Sequence, residues 1–110
     1  MQKVHMNDIG GEVIKDTSVY KLKDNPFGNN LVLSSTFLRE NQETSGHRHE
    51  GQEEVYFFVS GTGEMEIDHR RFKVEPNDVI CINDGEFHKV YNTGKLGLYF
   101  VCVFDGARNH

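Results

Sequence analysis

Within one short stretch of this chain, histidines and acids have the types and spacing to hold a metal ion. His47 and His49 flank Arg48, and on an extended strand residues i and i+2 point to the same face with Cα atoms about 6.5–7 Å apart. Two imidazoles so placed can converge on one ion at about 2.0–2.1 Å. A His-x-His pair alone is a weak signal, since any exposed strand edge can carry one. The adjoining segment strengthens it. After Glu50-Gly51-Gln52, the acids Glu53 and Glu54 open the apolar run Val55-Tyr56-Phe57-Phe58-Val59. A carboxylate at the head of such a run is costly to bury without a partner, and a bound cation offsets that cost. His88, in Glu86-Phe87-His88-Lys89-Val90, would by itself read as a half-buried strand histidine bonded to backbone. In company with the others it completes a set of three nitrogens and one oxygen.

The remaining histidines read differently. His5 and His110 lie at the ends of the sequence, where solvent exposure is expected, and His69 falls in a turn.

Strands must position these groups. The pattern of short apolar or alternating runs predicts strands over 17–23, 30–39, 45–49, 53–60, 63–67, 70–74, 78–82, 86–92 and 97–104. Between them lie clusters such as Gly28-Asn29-Asn30, Gly61-Thr62-Gly63, Pro76-Asn77-Asp78 and Asn83-Asp84-Gly85, whose residues tolerate positive φ or preset a turn. Glu64-Met65-Glu66-Ile67 and Arg71-Phe72-Lys73-Val74 alternate polar and apolar, and Asp68-His69-Arg70 joins them as a hairpin loop. This spacing of short strands predicts an all-β sandwich or barrel. The first dozen residues, with Gly10-Gly11, are expected to pack loosely or to pair with another subunit.

Bulk properties agree with one folded unit. The 110 residues, with 36% hydrophobic residues and eight Phe and four Tyr, fit one domain with a real core. A charge of −5, from 17 acids against 12 basic residues, disfavours nucleic acid as the partner. No run reaches the length of a membrane span, and Met1-Gln2-Lys3-Val4 does not open a signal peptide, so a cytoplasmic location is expected. Cys81 and Cys102 sit in the apolar runs Val-Ile-Cys-Ile and Phe-Val-Cys-Val and are expected to be reduced and buried.

The two stretches that contain the candidate ligands resemble the motifs of the cupin family. Its first motif runs Gly, five residues, His-x-His, three or four residues, Glu, six residues, Gly. Here it reads Asn41, five residues, His47-Arg48-His49, four residues, Glu54, six residues, Gly61. Its second motif runs Gly, five residues, Pro-x-Gly, two residues, His, three residues, Asn. Here it reads Asn77, five residues, Asn83-Asp84-Gly85, two residues, His88, three residues, Asn92. Residues 41–61 and 77–92, with the hairpin between, span about half the chain. The spacing selects Glu54 over Glu53. Asn replaces the first Gly of both motifs and the Pro of the second; Asn suits positive φ better than other non-glycine residues. All four ligand positions are intact.

The resemblance implies a small antiparallel jelly-roll barrel over residues 1–110, with one divalent transition metal per chain, iron, manganese, nickel, cobalt or zinc, held by His47, His49, Glu54 and His88. Imidazole and carboxylate serve all five ions. It also implies a homodimer, with the N-terminal segment, residues 1–15, covering an edge. Strand parity turns Tyr56 and Phe58 to the same face as Glu54, so Tyr56 is a candidate catalytic group that donates a hydrogen bond or shuttles a proton. Val55, Phe57 and Val59 face the other way, which calls for cover from a second sheet or subunit. Arg39 is a weaker candidate for the cavity wall. The expected activity is that of an enzyme whose metal acts as a Lewis acid on a small sugar-like or hydroxy- or keto-acid substrate, an isomerase, epimerase or lyase. The alternatives are a non-haem metal dioxygenase, for which Phe58, Phe87 and Phe100 would supply a dry cavity, and a non-catalytic barrel that binds a small ligand or metal.

Overall fold

The computed structural model describes residues 1–106; His110, expected to be exposed, lies outside them. Among the described residues ten strands follow one another: β1 (Glu12–Asp16), β2 (Tyr20–Asn25), β3 (Leu31–Leu38), β4 (His47–Arg48), β5 (Glu54–Ser60), β6 (Gly63–Ile67), β7 (Arg70–Val74), β8 (Val79–Ile82), β9 (Phe87–Tyr91) and β10 (Leu98–Asp105). They form an antiparallel six-stranded sheet, β1-β2-β3-β10-β5-β8, and an antiparallel four-stranded sheet, β4-β9-β6-β7. The fold is an all-β barrel, and among the described residues no helix is long and apolar enough to cross a membrane.

Alternation builds the core. On β5, Glu54, Tyr56 and Phe58 are buried while Val55, Phe57 and Val59 are half-buried. Leu38, Phe58, Leu98, Phe100 and Phe104 of the larger sheet meet Met65, Val74 and Val90 of the smaller one in a single cluster. Each large side chain so buried contributes roughly 1.5–3 kcal/mol. Phe104 pairs with Glu54 across β10 and β5, so the core reaches the candidate ligands.

Turns hold the strands in register. β6 and β7 pair from Gly63↔Val74 to Ile67↔Arg70, so the loop is the two residues Asp68 and His69, and His69 is exposed as expected. Asn41 and Asn77 take φ of 58° and 78°, the left-handed conformation anticipated for the motif positions that Asn occupies in place of Gly. At Gly61 the constraint is stricter. Its φ is 83° and a Cβ there would lie 2.4 Å from the Gly97 carbonyl oxygen.

Three expectations are corrected. Residues 12–16 form β1, antiparallel to β2, while Thr17 and Ser18 turn the chain, with the Thr17 hydroxyl accepting from the Val19 and Tyr20 amides at 3.1 and 3.2 Å. The N-terminal segment is tied to its own chain and not loose. Ile9 is buried beside Leu33, Phe57 and Val101, which covers part of the outer face of β5; Asn25 Nδ2 donates to the Ile9 carbonyl at 2.7 Å and Tyr99 to that of Met6 at 2.7 Å. Cys102 is buried, but Cys81 is exposed, because β8 is an edge strand and Cys81 pairs with Val55 on its outer face.

Candidate metal centre

The site lies between the two sheets. The smaller sheet supplies the histidines: β4 pairs with β9 so that His47 stands opposite His88, and His49 follows immediately after β4. The larger sheet supplies Glu54 from the first position of β5. The loop after His49 is laced to the turn before His88, with the Gly85 amide donating to the His49 carbonyl at 2.9 Å and the Gly51 amide to Asp84 Oδ1 at 2.7 Å. Arg48 points away from the site, where its guanidinium donates to the Gly85 carbonyl and lies 3.7 Å from Asp68. The residue between the histidines thereby fastens the strand that carries them.

His49, Glu54 and His88 are 4%, 5% and 4% exposed. One ligand atom from each lies within 4.8 Å of those of the other two. His49 Nε2 is 3.6 Å from Glu54 Oε1, and His88 Nε2 is 3.7 Å from Glu54 Oε2. Donors held about 2.0–2.2 Å from one ion stand roughly 3–4 Å apart, so these three groups fit a common cation. Burial, aided by the neighbouring His49 and His47 and opposed by its bond to the Glu86 carbonyl, pushes His88 down to about 4. His88 is therefore neutral at pH 7. Its Nδ1 is 3.3 Å from that carbonyl, which can only accept, so Nδ1 carries the hydrogen and Nε2 presents its lone pair toward Glu54. A backbone carbonyl orienting a histidine in this way is the usual support for a metal ligand.

His47 is placed differently from the other three candidates. Its ring stacks at 5.7 Å from His49 and lies 6.3 Å from His88, but it falls outside the tight group, and its Nε2 is 3.2 Å from Ser45 Oγ. Tyr56 borders the site: its ring meets His88 edge-on at 5.9 Å and stacks on Phe100 at 5.3 Å. Arg39 is not in the cavity. It pairs with Asp16 at 3.0 Å and donates to the Thr17 carbonyl.

The four candidate ligands, Tyr56, Phe100 and Cys102 line a cavity of about 50 Å³ together with Tyr20, Leu22, Ser34, Thr36, Thr44 and Ser45. That hydroxyl-rich wall corrects the expectation of a dry cavity. Of the three phenylalanines only Phe100 lines it; Phe58 lies in the core, and the Phe87 ring covers Gly46, where a Cβ would lie 2.1 Å from it. Sequence reasoning missed Ser34 and Thr36, although the clue was present: the hydroxyl run Ser34-Ser35-Thr36 interrupts a strand otherwise rich in Leu and Val. It also gave no role to Asn92. Its buried amide shares its hydrogens among the carbonyls of Leu38, Arg39 and Leu96 at 3.0, 3.1 and 2.8 Å, which ties the strand after His88 to the end of β3.

Comparison with known proteins agrees with this geometry. The family model described as Cupin domain matches residues 37–104. The uncharacterized protein MJ1618 of Methanocaldococcus jannaschii is 29% identical over 103 residues, 91% of this chain and 82% of that protein. An oxalate-binding protein of Thermotoga maritima is 33% identical over 57 residues, 52% of this chain and 47% of that protein. The crystal structure of an uncharacterized conserved protein with a double-stranded β-helix domain from Klebsiella pneumoniae superposes with a TM-score of 0.83 at 16% identity, covering 100% of this chain and 94% of that one. The chain belongs to the cupin family, and its buried His-Glu-His group is a candidate metal site.

Proposed function

We propose that this cupin binds one divalent transition metal per chain, iron, manganese, nickel, cobalt or zinc, through His49, Glu54 and His88 with His47 as fourth ligand. We further propose that it uses the ion on a small sugar-like or hydroxy- or keto-acid substrate, in an isomerase, epimerase or lyase type of reaction. The observation that carries the reading is the convergence of two buried imidazole nitrogens on opposite oxygens of one buried carboxylate, at 3.6 and 3.7 Å. A bound ion would supply Lewis acidity toward a carbonyl or hydroxyl oxygen. The chain's own residues do the rest. The laced loops fix the ligands, burial shields His49, Glu54 and His88 from bulk water, and the Tyr56 ring packs against His88, where its hydroxyl is the candidate to hold or move a proton.

A second reading, a non-catalytic binder of a small ligand, is favoured by the likeness of half of this chain to a protein named for binding oxalate. The two share the metal and differ in turnover. Elemental mass spectrometry of the untagged protein beside a His49→Ala/His88→Ala variant tests the shared part. About one transition metal per chain, lost in the variant, is expected. Absence of metal from both, persisting after reconstitution with each of the five ions, would overturn it. Turnover of hydroxy acids and sugars by the loaded protein then separates enzyme from binder.

A further inference from the structure

The cavity beside the candidate ligands is small and lined by hydroxyls, and its charges are few. About 50 Å³ gives room for roughly three or four water-sized groups. Among the described residues that line it, none is Lys or Arg, and Glu54 is the only carboxylate. With neutral imidazoles and a divalent ion, the buried site would carry one net positive charge. A ligand with one negative charge neutralises it. A ligand with two leaves an uncompensated charge beside the buried His49, Glu54 and His88, where an unpaired charge is costly.

The wall has its own preference. Ser34 and Thr36 lie on the inward face of β3, both buried. The Ser34 hydroxyl donates to the Lys23 carbonyl at 3.2 Å, so toward the cavity its oxygen acts as an acceptor. An acceptor there suits a ligand hydroxyl and opposes a second carboxylate.

From this inventory we propose that the cavity selects its ligand by charge: it takes a small hydroxy monocarboxylate, read by Ser34 and Thr36, and discriminates against dicarboxylate dianions of similar size. The selection rests on the metal-bound reading of the site. It separates this chain from the oxalate-binding relative at the level of the ligand, even though the two share the family.

The test uses the cobalt(II)-loaded protein, with the visible d–d absorption as readout. Glycolate and oxalate are titrated in turn, below concentrations that extract the ion, and the same titrations are run on cobalt(II) free in the same buffer. The preference for oxalate over glycolate shown by the free ion is expected to fall at least tenfold in the protein. Thr36→Val, close in shape to Thr, is expected to retain about one cobalt per chain by elemental mass spectrometry and to weaken glycolate at least threefold. A preference for oxalate equal to or greater than that of the free ion, with cobalt bound, overturns the charge selection and leaves the metal reading standing. Failure of the chain to take up cobalt or any other of the five ions overturns both.

Discussion

Between His47 and its three companions, the structure draws a distinction that strand parity cannot. His47 and His49 are two apart, and parity assigns them one face, but β4 ends at Arg48 and His49 already belongs to the loop. His49, Glu54 and His88 are buried and close together, whereas His47 is half-buried with its Nε2 beside Ser45 Oγ. To ligate, His47 must exchange that contact for the ion. The ligand positions should therefore be unequal. His88→Ala and Glu54→Gln are expected to weaken metal binding at least ~100-fold, beyond the usual effect of losing a supporting group, and His47→Ala only about tenfold. Competition against a chromophoric chelator measures this, and equal losses at His47 and His88 would contradict it. Acid should also act through His88. Its value of about 4 lies below the ordinary 6.5, so between those limits the unfolded chain binds the proton more readily than the folded one. In the metal-free protein the contribution is complete above pH 6.5 and declines as pH falls, by roughly 3 kcal/mol at pH 4. Urea unfolding of wild type and His88→Phe across this range should show the gap between them changing with that sign. A gap independent of pH would remove the argument.

At the scale of elements, the strands that pack one face inward were legible and the ones that do not were not. The boundaries of β6 and β7 follow directly from alternation around Asp68-His69, and β5 shows the expected inward Glu54, Tyr56 and Phe58. β1 was invisible because all five of its residues are exposed; a strand held by ladder bonds alone leaves no hydrophobic period to detect. Val79-Ile80-Cys81-Ile82 misled for the opposite reason. Its apolar run suggests burial on both faces, yet β8 is an edge and Val79 and Cys81 face out. The metal motifs were legible because they fix spacing across turns, and those turns depend on backbone conformation. Gly61 and Gly85 both have positive φ, but a Cβ at Gly61 meets the Gly97 carbonyl at 2.4 Å while one at Gly85 meets nothing within 4 Å. Gly85→Ala should thus cost about 1 kcal/mol, the conformational penalty alone, and Gly61→Ala more than ~2 kcal/mol because backbone must also move. Chemical denaturation of the two variants checks the difference, and similar losses would show that the close approach at Gly61 relaxes freely.

Over the whole molecule, two sheets share one core that runs up to the candidate site, where Phe100 lines the cavity and Phe104 pairs with Glu54. The exposed edge strand β1, with Val13 and Ile14 uncovered, is where pairing with a second copy is expected; light scattering at micromolar concentration should give twice the chain mass, and a monomer would reject the pairing. The metal should matter to the barrel itself. His47, His49 and His88 come from the four-stranded sheet and its edge, and Glu54 comes from the six-stranded sheet. An ion bound to both adds a tie between sheets already connected there by residues 49–53 and 83–86, by side-chain packing and by loop hydrogen bonds. Because the unfolded chain does not assemble this set, binding free energy adds to folding free energy. At a free-ion concentration about 1,000 times the Kd the gain is roughly 4 kcal/mol, which for a chain of this size corresponds to a rise in Tm of more than ~10 °C. Removing Glu54 should cut that rise sharply, because an affinity at least ~100-fold weaker leaves no more than about 1.4 kcal/mol at the same ion concentration. Thermal unfolding of wild type, Glu54→Gln and His47→Ala with and without zinc would show it: a large shift, a small one, and an intermediate one. A shift of the same size in Glu54→Gln would mean that the ion is held by the smaller sheet alone and does not bridge the barrel.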